Sequence, residues 1–181
     1  MNESLPALMR EVREAVEFII ELPRKIVDSF MGTRSSYLDW KERVAAQKAN
    51  AELREVAKVL QSLFFTKFDI FVHVNSPDFK ADDENLTWLK GLFSEAAENL
   101  DRVREMLIEI GPSHPLLLVE APRIIANASH AYKQIAELPD EQLRERVVLS
   151  DLCRRLEMLT NAGAELIGRL EDQRRLLDHT Y

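Results

Sequence analysis

A single cysteine, Cys153, stands in a chain of 181 residues. A lone thiol cannot cross-link the chain, so a disulfide framework is excluded and nothing calls for an oxidising compartment. Glycine is scarce as well, with five residues beside seven prolines. Sandwiches and barrels consume many Gly-rich turns, so the composition leans away from all-β folds. Long apolar runs are missing. The N-terminal stretch MNESLPALMREVREAVEF is charged from Glu3 onward, which fits neither a signal peptide nor a membrane span. Basic excess is missing too: 24 Lys and Arg face 31 Asp and Glu, for a net charge of −7. That balance repels phosphate backbones and argues against general nucleic-acid binding.

The familiar chemical motifs are also lacking. None of His73, His114, His130 and His179 follows a Glu by three residues, which rules out the paired Glu-x-x-His ligands of di-iron bundles. There is no His-Glu-x-x-His helix and no Cys-x-x-Cys. The acidic loop Asp78, Asp82, Asp83, Glu84 has neither the spacing nor the glycine of an EF-hand, and reads as acids placed at a helix N-terminus. No Gly-rich phosphate loop occurs, and nothing nominates a nucleophile. Cys153 follows the apolar Leu152 and reads as a reduced structural thiol. No metal, no cofactor and no small-molecule substrate is implied.

What is present is helical rhythm. Apolar residues make up 46% of the chain and recur at spacings of three and four. Stripes run from Leu5 through Val12, Val16 and Ile19, from Leu86 through Phe93, Leu100 and Leu107, from Leu117 to Leu138, and from Leu149 to Leu177. Caps and breakers divide the rhythm into helices over about 4–31, 37–74, 83–110, 114–138 and 140–177. Pro23 and Pro122 fall inside this pattern, where a proline removes an amide donor and predicts a kink or a break. Asp82 or Asp83 caps the third segment, and a pause is open at Ser150-Asp151. Short connections make successive helices antiparallel neighbours. The small seam residues Ala121, Ala128 and Ala131 let the fourth helix approach its neighbours closely, which suggests a central place for it. The expectation is a single-domain, all-α antiparallel bundle of about five long, heptad-patterned helices with proline kinks.

The run QSLFFTKFDIFVHVNSPDF, residues 61 to 79, holds five of the eight phenylalanines. Residues 66 to 74 alternate like a strand, yet Ser62, Thr66, Asp69 and His73 also line up as one polar stripe on a helix. A strand needs partners, and the chain offers no other sheet material, so helix is the expectation. Asp69 and His73 lie one helical turn apart, placed for a carboxylate to hold an imidazole. Phe65, Phe68 and Val72, with Asp69 and His73, form a candidate interaction surface. Exposure of Phe65 and Val72 would mark it as one.

A second polar face carries Arg123, Asn127, His130 and Gln134. Its run RIIANASH, Arg123 to His130, resembles the Arg-x4–6-His signature of HEPN ribonucleases, a family of helical bundles. The resemblance covers eight residues. It implies a toxin-type ribonuclease in which Arg123 and His130 work on the RNA backbone, usually across a dimer. The family often has a polar residue directly after the Arg, where this chain has Ile124. The run RRLLDH, Arg174 to His179, has the same spacing.

With no coherent catalytic set and with stripes able to extend between chains, the leading expectation is a non-enzymatic cytoplasmic interaction or adaptor protein. It would bind a protein partner or itself as a homodimer. The HEPN-like ribonuclease is the alternative. Peripheral membrane binding through the first helix is weaker, because its polar face mixes Arg10 and Arg13 with Glu11, Glu14, Glu17 and Glu21 instead of being basic.

Overall fold

The computed structural model of the chain describes residues 4–31, 40–61, 70–110 and 120–178. Among these residues every regular element is a helix, and there are seven: α1 Leu5–Met31, α2 Trp40–Gln61, α3 Ile70–Asn75, α4 Asp83–Ile110, α5 Ala121–Glu137, α6 Asp140–Leu143 and α7 Arg146–Asp178. The fold is all-α, in keeping with the apolar rhythm. Residues 70–75 are helical, which settles the strand alternative for that part of the aromatic run.

Local chemistry starts the helices. The Ser4 carbonyl accepts the amides of Ala7 and Leu8 and so opens α1, which then continues through Pro23 to Met31 without interruption. Of the two aspartates that compete to cap α4, Asp82 is the one in place: its Oδ1 accepts the Asn85 amide at 3.0 Å. Asp83 and Glu84 then sit in the first turn, where negative charge meets the positive end of the helix dipole. α5 begins at Ala121 with Glu120 as its N-cap, so Pro122 lies in the first turn, where a missing amide costs nothing. Pro122 is therefore no internal kink.

The helix expected over 140–177 divides instead at Arg144-Glu145, between α6 and α7. No Gly or Pro marks this point, and the pause considered at Ser150-Asp151 does not occur, because residues 146–178 form one helix. Contacts distant in sequence flank the break. The Arg144 guanidinium reaches Asp83 Oδ1 at 2.8 Å, while Arg146 turns to carbonyls at the end of α3.

Five long helices close into a ring. α1 packs on α5 and α7, α5 on α4, α4 on α2, and α2 on α7. α3 lies along α7 as well. Each interface buries the inward stripe of its helices: Leu8, Val12, Val16 and Ile19 on α1, Leu53, Val56 and Ala57 on α2, and Leu86, Leu89, Phe93, Leu100, Val103 and Leu107 on α4. α5 is not central. It is one member of the ring, and its small face serves the approach to α4. There Ala128 and Ala131 meet a helix that buries Ala96 and Ala97, and Ser129 Oγ donates to the Ala97 carbonyl at 3.0 Å.

A ring of five leaves space along its axis, and aromatic rings occupy it. Tyr132 of α5 is fully buried and stacks on Phe93 of α4, with ring centroids 6.1 Å apart. The Tyr132 hydroxyl also lies within electrostatic reach of Cys153 on α7, although α5 and α7 are not neighbours in the ring. Tyr132 is thus enclosed in the interior of the bundle.

A polar clamp fixes the turn between α5 and α6. Lys90 Nζ of α4 donates to the Leu138 carbonyl at 2.7 Å and to Asp140 Oδ1 at 2.5 Å. Its side chain is mostly covered, so loss of the ammonium leaves a carboxylate and a carbonyl half-buried without their donor. Lys90→Met, which keeps the apolar stem, is expected to cost roughly 1.5–3 kcal/mol, read as a lower urea midpoint at unchanged slope.

Candidate functional site

Among the described residues a connected polar cluster surrounds α3. Six residues are too few to sustain a helix in water, so α3 depends on what holds it. Ile70 and Val74 bury its inner side. At its N-terminal end the Phe71 amide donates to Glu157 Oε1 of α7 at 2.8 Å. At its C-terminal end Arg146 Nε donates to the Val74 carbonyl at 3.1 Å, and Arg146 Nη2 donates to the Ser76 carbonyl. An acid thus meets an amide of the first turn and a base meets carbonyls at the last, the arrangement that both ends of a helix favour. Between the two ends, Asn75 Nδ2 donates to Ser150 Oγ at 2.9 Å. These pairings run α3 and α7 antiparallel.

Two exposed valines flank this seam. Val72 on α3 is 60% exposed and Val147 on α7 is 80% exposed. Val72 lies three residues before Asn75, and Val147 three before Ser150, so each stands one turn from the Asn75–Ser150 hydrogen bond on the same side of its helix. Because the helices are antiparallel, the two valines sit on either side of that bond. The other large apolar side chains in the open among the described residues, Ile20 and Ile108, belong to α1 and α4.

His73 turns away from this edge. Its ring meets Phe79 and Trp88 edge-on, at centroid distances of 5.6 and 5.8 Å. Of the candidate surface read from the sequence, Val72 is in the open and His73 sits among aromatic rings, while Phe65, Phe68 and Asp69 lie outside the described residues.

The second candidate face is on α5. Arg123 and His130 are both exposed, two turns apart and so about 10 Å along the axis. Asn127, between them, donates from Nδ2 to Glu11 Oε2 of α1 at 3.0 Å. His130 Nε2 lies 2.6 Å from Gln134 Nε2, and with the amide as donor the imidazole nitrogen accepts. The face is therefore tied to an acid of α1 at one residue and to its own helix at another. The apolar stripe of α1 is buried against α5 and α7, and Arg10, Arg13, Glu14, Glu17 and Glu21 face outward.

Two titratable groups are enclosed in the core. Burial pushes the Cys153 thiol up to about 12, and the Glu157 carboxylate adds to the shift. Burial likewise pushes the Tyr132 hydroxyl far above its ordinary value, with Cys153 adding to it. The Tyr132 hydroxyl has no hydrogen-bond partner among the described residues. A thiol held so far up is protonated at neutral pH, which makes Cys153 a poor nucleophile in the closed fold.

Sequence reasoning did not single out Val147, Arg146 or Glu157, and it read Ser150 only as a place for a pause. Val147 lies in the apolar run Val147-Val148-Leu149, where nothing local tells which residue faces water. Arg146 and Glu157 are two charges among many on a helix surface, and only the placement of α3 gives them a role. Among the described residues no group of three or more His, Cys, Asp or Glu is arranged to hold a metal ion, and no helix is long and apolar enough to cross a membrane. No protein-family model, no curated protein and no solved structure matches this chain.

Proposed function

We propose that the protein is a non-enzymatic interaction or adaptor module of the cytoplasm, and that it binds a protein partner or a second copy of itself through the α3–α7 edge. The observation that supports this is the pair Val72 and Val147, both largely exposed on one seam that is otherwise polar. Single apolar residues scattered on a surface are ordinary, but two that flank one hydrogen-bonded seam offer an anchor inside a polar rim, the usual anatomy of an interface. The lone reduced cysteine fits a cytoplasmic setting.

The test compares wild type with a Val72→Asp, Val147→Asp double variant, whose exposed positions leave the core untouched. Light scattering over a wide concentration range reads self-association. Recovery of partners from the native cell, followed by mass spectrometry, reads association with other proteins. The expected result is a dimer or a specific partner for wild type and its loss in the double variant. A protein that stays monomeric, and whose double variant retains every partner, does not use this edge.

A further inference from the structure

We infer that α3 is a releasable strap: a short helix docked on α7 by a charge bracket, Glu157 at one end and Arg146 at the other, whose local detachment uncovers Cys153 without unfolding the bundle. This holds whether or not the α3–α7 edge binds a partner.

Four observations carry it. First, α3 has six residues and lies along α7, with the His73 ring on Trp88 of α4 beside it, whereas each long helix packs along two neighbours in the ring. Second, only Ile70 and Val74 are buried within it, so little apolar surface holds it down. Third, its docking is polar at both ends and in the middle, through Phe71 to Glu157, Asn75 to Ser150, and Val74 and Ser76 to Arg146. Such bonds exchange readily for bonds to water, which is the character of segments that open below the global unfolding limit. Fourth, Cys153 lies beside the strap. It stands one turn before Glu157, on the side of α7 that bears Arg146, Ser150 and Glu157, and the Glu157 carboxylate that caps α3 also acts on the thiol. Strap and cysteine therefore share a neighbour.

The cysteine is a built-in reporter, because it is the only one in the chain. Buried and protonated it does not react. Once uncovered it returns toward ordinary thiol acidity and reacts with a disulfide reagent at pH 8. The experiment measures the rate at which dithiobis(nitrobenzoate) labels Cys153 in the full chain, from zero urea upward, in wild type, Arg146→Ala, Arg146→Lys and Lys90→Met. Arg146→Ala is expected to raise the rate at zero urea at least tenfold, with a weak dependence on urea, and Arg146→Lys to restore part of the protection. Lys90→Met loosens the α5–α6 turn elsewhere in the bundle and is expected to leave the low-urea rate within twofold of wild type.

Three results overturn the strap. One is an Arg146→Ala rate within twofold of wild type. Another is an equal rise in Lys90→Met, which shows labelling through global unfolding. The third is a urea dependence of labelling as steep as that of global unfolding. If Arg146→Ala lowers global stability, the comparison with Lys90→Met is made at urea concentrations that match the two variants in stability, so the outcome still decides.

Discussion

Between pH 9 and pH 11 the protein is expected to lose on the order of 4 kcal/mol of stability, a large share of what a domain of this kind possesses. The cause is a pair of groups buried within the bundle. The Cys153 thiol is held up to about 12 in the folded chain and ionises near its ordinary value when unfolded. Above that ordinary value the unfolded chain gives up a proton that the folded chain keeps. The contribution is fully present below about pH 8.5 and is lost as pH rises toward the folded value, at about 1.4 kcal/mol per pH unit. Tyr132 is shifted in the same direction and adds a second slope of the same size from about pH 10 upward. Urea unfolding at half-unit pH steps measures both. Cys153→Ala is expected to flatten the curve between pH 9 and 10, and Tyr132→Phe to flatten it above 10. A wild-type stability that is level from pH 8 to 10.5 would contradict burial of the thiol.

Phe93→Ala is expected to cost about 3–5 kcal/mol, near the top of the range for a single substitution. Phe93 is wholly buried and forms the stacked partner of Tyr132. Its removal takes away the apolar area of the ring and opens a void on the bundle axis. Helices held in a closed ring cannot move inward to fill such a void without pulling on two neighbours each, so relaxation is limited and the cavity term is large. Thermal unfolding should shift down by roughly 6–20 °C for a chain of this size. Tyr132→Phe provides the contrast. It keeps the ring and removes a hydroxyl with no hydrogen-bond partner among the described residues, so the expected change at neutral pH runs from zero to a gain of about 1 kcal/mol. A Phe93→Ala variant within 1 kcal/mol of wild type would show that the axis is not packed as described.

The helical class was legible because burial imposes its period on every long segment. The choice of helix for Ile70–Asn75 came from the chain as a whole, since Phe71, Val72 and Val74 favour a strand locally and only the lack of a partner strand opposes them. Boundaries were less legible where the decision is not local. Pro122 suits a first turn as well as an internal kink, and nothing in the neighbouring residues decides between them. The residues at the break pair with Asp83 and with the carbonyls of Val74 and Ser76, about 60 and 70 residues away in sequence, and nothing local marks the place. The same holds for the α3 cluster. His73 and Val72 could be picked out from their own neighbourhood, but Glu157 and Arg146 matter only because α3 lands beside them.

The order of helices around the ring has a consequence for synthesis. α1 is made first, yet its neighbours are α5 and α7, as in the Glu11–Asn127 pair, 116 residues apart. At the ordinary pace of translation a gap of that length takes on the order of ten seconds. Throughout that interval Leu8, Val12, Val16 and Ile19 have no native surface to cover them. α2 meets α4 sooner, but its other flank waits as well, since Arg54 pairs with Glu171, 117 residues on. The α4–α5 hairpin, whose partners lie close in sequence, is the natural seed onto which the earlier helices fold back. On the ribosome the two N-terminal helices are therefore the part of this chain most in need of a chaperone.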